Sequence, residues 1–416
     1  MKKILFLSFN YPEGGFGPST LCTTRIMNEL VSSNECEVHC LSYDNGGKNT
    51  YPVINGVTVH KLGIKPKRNL SSRFLIHMFS FFKIPLFPFN ALLDDYKHYK
   101  DCKRVLGGEK YDLVVAQYAI EQCLIAGVLL KKNHCIDNLM ILFWDNIYGK
   151  LPQRVIPKGF AGRRQYKIEN WIAKYADTLV SLYPIKSFHK EYGDVPNAKG
   201  KRIYLGIPSV VRPESSKGAV YKSLLKKNKI NMVISGTIFK KNYLVYFIEL
   251  LNKSFFSQDI NFIVFTRSIS KEEVSSLNDS FNGTIEAPGY IPLNELLAIY
   301  PEVDFFVSFP GAPTAICSRV YEYMSHGKPL ILLYEDDKDV NISTFSKYPY
   351  CESFDCRLSL DDNLLRLDKF IKSVKGKTIP FEQVENIFQD DTASAYVKMI
   401  LKHLQQPASC NRQIII

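Results

Sequence analysis

Two stretches of the chain combine glycine, small polar residues and a helix start in a way that suits binding of an anion. In the first, residues 11–19 read Tyr11-Pro12-Glu13-Gly14-Gly15-Phe16-Gly17-Pro18-Ser19, directly after an apolar run and directly before an amphipathic helical pattern. Gly14 and Gly15 at such a strand-to-helix turn would let backbone N–H groups approach a ligand, and the helix N-terminus that follows favours negative charge. The G-x-G-x-x-G spacing of a dinucleotide site is absent, and a turn of this kind taken alone is more often a structural connection. In the second stretch, Ser318-Arg319-Val320-Tyr321-Glu322-Tyr323-Met324-Ser325-His326-Gly327-Lys328-Pro329, Ser318 suits a helix N-cap and Gly327 a C-terminal stop. A loop and helix start of this kind at the end of a parallel strand can hold a diphosphate, and Glu322, one turn in, can accept hydrogen bonds from a ribose diol. Val320 and the tyrosines around Glu322 point to burial, which an unpartnered carboxylate resists.

These residues need a scaffold of strands and helices. Short apolar runs at 4–9, 37–41, 113–116, 140–143, 178–181 and 202–204 predict strands in the first half, and runs at 231–235, 261–265, 304–308 and 329–333 predict strands in the second. Helical periodicity at 19–32, 243–253, 293–299 and 319–326 falls between them. Alternation of this kind builds parallel sheets with crossover helices, so the expected fold is α/β, two doubly wound domains. At roughly 150 residues per domain the 416 residues fit two or three. Proline, serine and lysine interrupt the pattern between 206 and 229, which sets the domains at 1–206 and 207–391, with a helix at 392–404 expected to dock back on the first.

Composition narrows the class. Hydrophobic residues are 46% and charged residues 23% of the chain, which excludes disordered, collagen-like and coiled-coil readings. No apolar run approaches the ~20 residues that span a bilayer, and the N-terminal apolar stretch is too short for a signal peptide. The ten cysteines show no metal-ligand spacing and read as reduced thiols of a cytosolic protein. Net charge is +12, and it is uneven: residues 1–200 hold 27 basic against 17 acidic side chains, residues 201–416 hold 26 against 24. The first half therefore faces something anionic, whether nucleic acid, a membrane surface or a phosphorylated substrate. Residues 73–93 carry six phenylalanines just after Lys65, Lys67, Arg68 and Arg73, a composition that suits the headgroup layer of a membrane and equally suits a buried insertion. The basic run at 150–174 reads as a solvated face or as an extension of that membrane-facing surface.

In this setting the chain resembles the retaining glycosyltransferases of family 4. Five landmarks carry the resemblance in order: the Tyr11-to-Gly17 loop; Ile172-Ala173-Lys174-Tyr175-Ala176-Asp177 before a strand; Ser235-Gly236-Thr237 with Lys240-Lys241-Asn242; Gly289-Tyr290-Ile291 ahead of Glu295-Leu296; and the Ser318-to-Pro329 run. The resemblance implies the GT-B architecture, two Rossmann-like doubly wound parallel-sheet domains facing a central cleft, with a nucleotide-sugar donor on the second and an acceptor on the first. It puts Lys240 or Lys241 on the donor diphosphate beside Gly236 and the Gly14-Gly15 turn, the Ile291 backbone on the base, and Glu322 on the ribose. It implies no metal and no cofactor, the donor being a substrate.

Two positions depart from the family pattern. Where the family commonly has a first glutamate eight residues before the second, this chain has Thr314, and the loop up to Ser318 offers Thr314 and Cys317 but no carboxylate. The frequent His-Asp pair of the first domain is Trp144-Asp145, leaving Asp145 to orient acceptor or sugar. The implied protein is a hexosyltransferase-type enzyme of cell-surface polysaccharide synthesis. It is expected to be cytoplasmic and peripheral on the inner membrane face, with a glycan or lipid-linked acceptor, an anionic membrane surface as partner and no nucleic acid. A GT-B nucleotide-sugar epimerase and a catalytically degenerate nucleotide- or glycan-binding scaffold are the alternatives.

Overall fold

The computed structural model describes residues 1–8, 18–44, 56–64, 92–118, 121–145, 158–213, 220–313 and 315–405. The chain forms two compact units, Met1–Pro208 with Ala393–Ile416, and Ser209–Thr392. The first is built on seven parallel strands, β1 (Lys2–Leu7), β2 (Cys36–Asp44), β3 (Val57–Ile64), β4 (Leu113–Gln117), β5 (Leu139–Phe143), β6 (Thr178–Leu182) and β7 (Arg202–Leu205), in the order β3-β2-β1-β4-β5-β6-β7. The second has six parallel strands, β8 (Ile230–Ser235), β9 (Ile260–Phe265), β10 (Thr284–Glu286), β11 (Phe305–Ser308), β12 (Leu330–Tyr334) and β13 (Cys351–Asp355), in the order β10-β9-β8-β11-β12-β13. Both units are therefore doubly wound, as the alternating pattern predicts. In each, strand order reverses at the middle, between β1 and β4 and between β8 and β11.

Central strands are buried along their whole length. All residues of β4, β5, β8 and β9 are buried, because helices cover both faces of a parallel sheet. In the second unit Met232, Phe262 and Phe305 meet Phe247 from the helix Lys241–Lys253 and Phe370 from the helix Leu360–Val374 in one apolar core. Strands β3, β10 and β13 were not expected from the sequence, and all three lie at sheet edges. An edge strand is covered on fewer sides and needs no continuous apolar run: β13 is only partly buried over Cys351, Glu352 and Ser353, and β10 is three residues long.

The C-terminal helix Ala393–Gln405 lies against the helix Pro18–Ser33, with Ser394 donating to Glu29 at 2.6 Å and the Tyr396 hydroxyl donating to the Gly206 carbonyl at 2.7 Å. Where the chain passes into and out of the second unit, Ser209 and Val210 N–H both donate to the Asp391 carbonyl, at 2.9 and 3.1 Å, and Val210 pairs with Thr392. The nine described cysteines are free thiols. Among the described residues no helix is long and apolar enough to cross a membrane. The phenylalanine-rich stretch lies outside the described residues up to position 91, as do Gly14 and Gly15. Of the basic run, Arg164 departs from a solvated face. It is buried in the helix Lys158–Tyr175, within reach of the charges of Glu121 and Asp95.

Gly327, the predicted helix stop, is required on two counts. Its φ is +70°, and a Cβ there would stand 2.0 Å from the Ile379 carbonyl oxygen, whose own N–H donates to Gly327 O at 3.0 Å. Gly376 has a similar φ of +74° but open space around it. Gly376→Ala should therefore cost only the left-handed backbone penalty, about 1–2 kcal/mol, and Gly327→Ala about 3 kcal/mol or more. Urea denaturation of both variants checks this, and equal losses would mean the Ile379 contact relaxes at no cost.

Candidate functional site

The crevice beyond β8 and β11 is where the second sheet reverses its winding, the place where open α/β sheets bind ligands. Ser235 closes β8, and Gly236 follows with φ +113°, its N–H donating to Phe265 O at 2.9 Å. Arg319, in the first turn of the helix Ser318–Ser325, reaches back over this turn. Its Nη1 donates to Ser235 Oγ at 2.9 Å, and a Cβ on Gly236 would touch its Nε at 3.5 Å. The same hydroxyl meets Tyr300 Oη at 2.7 Å and Tyr323 Oη at 2.8 Å, while Ser235 N–H donates to Tyr323 Oη at 2.8 Å. Burial pushes the Tyr323 phenol up to about 12, so it keeps its proton at neutral pH. Its ring stacks on Phe306 at 4.2 Å between centroids, and Tyr300 stands edge-on to both. Together these contacts hold a guanidinium beside a glycine turn and a helix N-terminus.

The loop from β11 into that helix is fixed from below by Asn341, which accepts from Cys317 N–H at 2.9 Å and donates to Ala315 O at 3.0 Å. The N-cap is Cys317 rather than Ser318, which is the first helical residue. Val320 N–H donates to the Cys317 carbonyl at 3.1 Å, and burial raises the Cys317 thiol's pKa while the backbone N–H groups of Val320 and Arg319 act to lower it. Glu322 is half-buried one turn in, and its charge bears on Arg319 and Tyr300. Thus Gly236, Cys317, Ser318 and Glu322 come together, and Thr314 lies outside the described residues.

Lys240 and Lys241 are each engaged in an ion pair. Lys240 Nζ pairs with Glu335 at 2.6 Å and Lys241 Nζ with Glu273 at 3.0 Å. The hydrogen bond that Lys240 donates to Glu335 raises the Lys240 pKa and lowers that of Glu335. Lys240 lines a cavity of about 380 Å³ with Asn242, Tyr246, Glu335 and Arg357. Ile291 is buried directly after the exposed Tyr290. The cation at the strand crossover is Arg319, to which the sequence reading gave no role although it stands inside the Ser318-to-Pro329 run.

In the first unit, the fully buried Gln117 at the end of β4 donates to Ser8 Oγ at 2.9 Å. Its Oε1 accepts from Thr23 Oγ1 and from Trp144 Nε1, the latter at 3.1 Å. Trp144 is thus a buried strut, and Asp145 beside it is exposed. Burial, with the charges of Glu121 and Asp145, holds the Tyr118 phenol above its ordinary value. Among the described residues one group has metal-ligating types close together, Glu169, His189 and Asp194, with ligand atoms within 4.8 Å of one another. Arg202 already supplies the positive charge there, 2.5 Å from Glu169 and 2.8 Å from Asp194, so the group is a buried ion cluster.

The sequence matches no family model and no curated protein. Solved structures match over nearly the full chain. Sucrose-phosphate synthase from Thermosynechococcus elongatus is 12% identical with a TM-score of 0.63, covering 98% of this chain and 99% of its own. HepE from Anabaena in complex with UDP and glucose is 11% identical with a TM-score of 0.58, covering 97% and 99%. UDP-GlcNAc 2-epimerase from Methanocaldococcus jannaschii is 13% identical with a TM-score of 0.57, covering 97% and 100%. The fold is accordingly that of the GT-B proteins.

The Ser235 contacts have a measurable worth. Tyr323→Phe keeps the ring stack on Phe306 but deprives a buried N–H of its acceptor, an expected loss of about 1–3 kcal/mol. Tyr300→Phe leaves Ser235 its other partners and should cost about 1 kcal/mol or less. Denaturation midpoints of the two variants test the order, and a loss from Tyr300→Phe as large as that from Tyr323→Phe would contradict it.

Proposed function

We propose that this chain is a glycosyltransferase that moves a sugar, with retention, from a nucleotide-diphosphate donor to a glycan or lipid-linked acceptor in cell-surface polysaccharide synthesis. Residues 207–391 would bind the donor and residues 1–206 the acceptor. The observation that carries the reading is Arg319, held across the Gly236 turn at the N-terminus of the helix that bears Glu322. A diphosphate there would meet a guanidinium, the helix-end N–H groups near Ser318 and the Gly236 backbone, and a ribose one turn on would meet Glu322. These groups stabilise the charge that grows on the departing diphosphate, and no protein nucleophile is required. Lys240 and Lys241 would join by exchanging Glu335 and Glu273 for donor oxygens, with Gly14 and Gly15 adding backbone N–H groups. Asp145 would orient the acceptor. HepE holds UDP and glucose, which makes UDP-sugars the first donors to test. The likeness to an epimerase makes isomerisation of the nucleotide sugar the second reading.

Incubation with a panel of nucleotide sugars and a membrane lipid extract separates the readings. Acceptor-dependent release of nucleotide supports transfer, acceptor-independent isomerisation means epimerase, and binding without turnover means scaffold. Losing one charge-assisted contact should weaken UDP binding about 10- to 150-fold in Arg319→Ala and in Glu322→Ala. Asp145→Asn should lower turnover about tenfold or more and leave nucleotide affinity within roughly a factor of two. Unchanged UDP affinity in both donor-site variants, or full turnover in Asp145→Asn, would overturn these assignments.

The proposed location is the cytoplasmic face of a membrane, supported by the basic excess of residues 1–200 and the phenylalanines of 73–93. Attraction of a polybasic surface to anionic lipid fades with salt, whereas inserted phenylalanines resist it. Flotation with anionic vesicles should show binding that high salt only partly releases and that Phe79→Ser/Phe82→Ser weakens. A variant that floats like the wild type would remove this segment from the membrane reading.

A further inference from the structure

Arg267 and Tyr290 form a flat, solvent-facing stack for which no contact described so far accounts. The Arg267 guanidinium lies 3.6 Å from the centroid of the Tyr290 ring, and Tyr290 remains 55% exposed. Arg267 stands two residues past the end of β9 and Tyr290 four past the end of β10, so both lie at the same end of the parallel sheet as Ser235 and Gly236. The loops are joined: Ile238 N–H, between Gly236 and Lys240, donates to Ser268 Oγ at 3.2 Å, and Ser268 adjoins Arg267. Tyr290 is anchored by the buried Ile291 that follows it.

From β8 to β10 is two strand spacings, roughly 10 Å. A ligand with an anion at Gly236 and Arg319 and a planar group that far along the sheet edge would bring that group to the Arg267–Tyr290 stack. Nucleoside diphosphates combine these two features. We infer that Arg267, backed by Tyr290, is the platform on which the donor's base stacks, and so determines how tightly the nucleoside part is held. This deepens the donor reading above and rests on it. A guanidinium plane stacks on any base because every base has a π face, and the tyrosine behind it fixes its tilt. Choice among bases would then fall to groups that face the edge of the ring, such as the Ile291 backbone.

Calorimetry with UDP, GDP, ADP and inorganic pyrophosphate tests this on the full chain. Arg267→Ala should weaken whichever nucleotide binds the wild type by about 5- to 150-fold and leave pyrophosphate affinity unchanged. Arg267→Lys, which keeps the charge and loses the plane, should fail to restore it, and Tyr290→Phe should bind like the wild type. Both side chains lie at the surface, and unchanged thermal unfolding serves as the folding control. Equal loss for UDP and pyrophosphate would make Arg267 a phosphate ligand and overturn the inference, as would no loss at all. If the wild type binds none of the three nucleotides, the donor reading itself fails and the platform with it; nucleotide binding that Arg319→Ala weakens and Arg267→Ala does not would sink the platform alone.

Discussion

Ser235 Oγ holds three groups at once: the Arg319 guanidinium, the Tyr300 hydroxyl and the Tyr323 hydroxyl. A serine hydroxyl has one proton and two lone pairs, so this saturates it. The consequence is geometric. The end of β8, the first turn of the Ser318–Ser325 helix and the 3₁₀ turn at Tyr300–Glu302 cannot shift independently without stranding a buried polar group. The aromatic layer of Phe306, Tyr300 and Tyr323 packs beneath this hub, with the His326 ring 5.4 Å from Tyr300. Burial lowers the His326 pKa to about 4, so the ring remains neutral and adds no charge to the layer near neutral pH. The glycine turn and the helix N-terminus thus owe their relative position to a polar hub on an aromatic base.

How much of this could be read from the sequence varies with how many sides of a segment are covered. Strands such as β4, β5, β8 and β9 are enclosed on both faces, so their composition is almost wholly apolar and their limits fall within a residue or two of expectation. Edge strands β3, β10 and β13 carry polar residues and left no such trace. The same distinction applies to the candidate site. Gly236, Cys317, Ser318 and Glu322 stand in short motifs bound to one turn or one helix, and motifs are legible. Arg319 acts through a contact with a residue 84 positions away, which spacing cannot express. Trp144 likewise reads as a departure from a family pattern until its indole is seen to donate to Gln117, which ties it to β4 and to Ser8.

Lys240 and Lys241 illustrate a different limit. Their residue types suit a phosphate, yet each has an acidic partner, Glu335 or Glu273, drawn from a separate loop or helix. Exposed pairs of this kind are worth little, so a doubly charged ligand competes with them on favourable terms. Arg319, by contrast, is committed by geometry to the crossover.

The paired backbone at Ser209–Val210 and Asp391–Thr392 has an organisational meaning. It makes the second unit a loop-out from an otherwise continuous first unit, with its two ends side by side. A segment whose ends are adjacent can be removed, replaced or received by recombination without altering the strand order of its host. For this chain the interchangeable cassette is the half that carries Arg319, Glu322 and the Arg267–Tyr290 stack, while Ala393–Gln405 closes the host. The side chains of that cassette could therefore be exchanged wholesale, in a single insertion event, without redesign of the host.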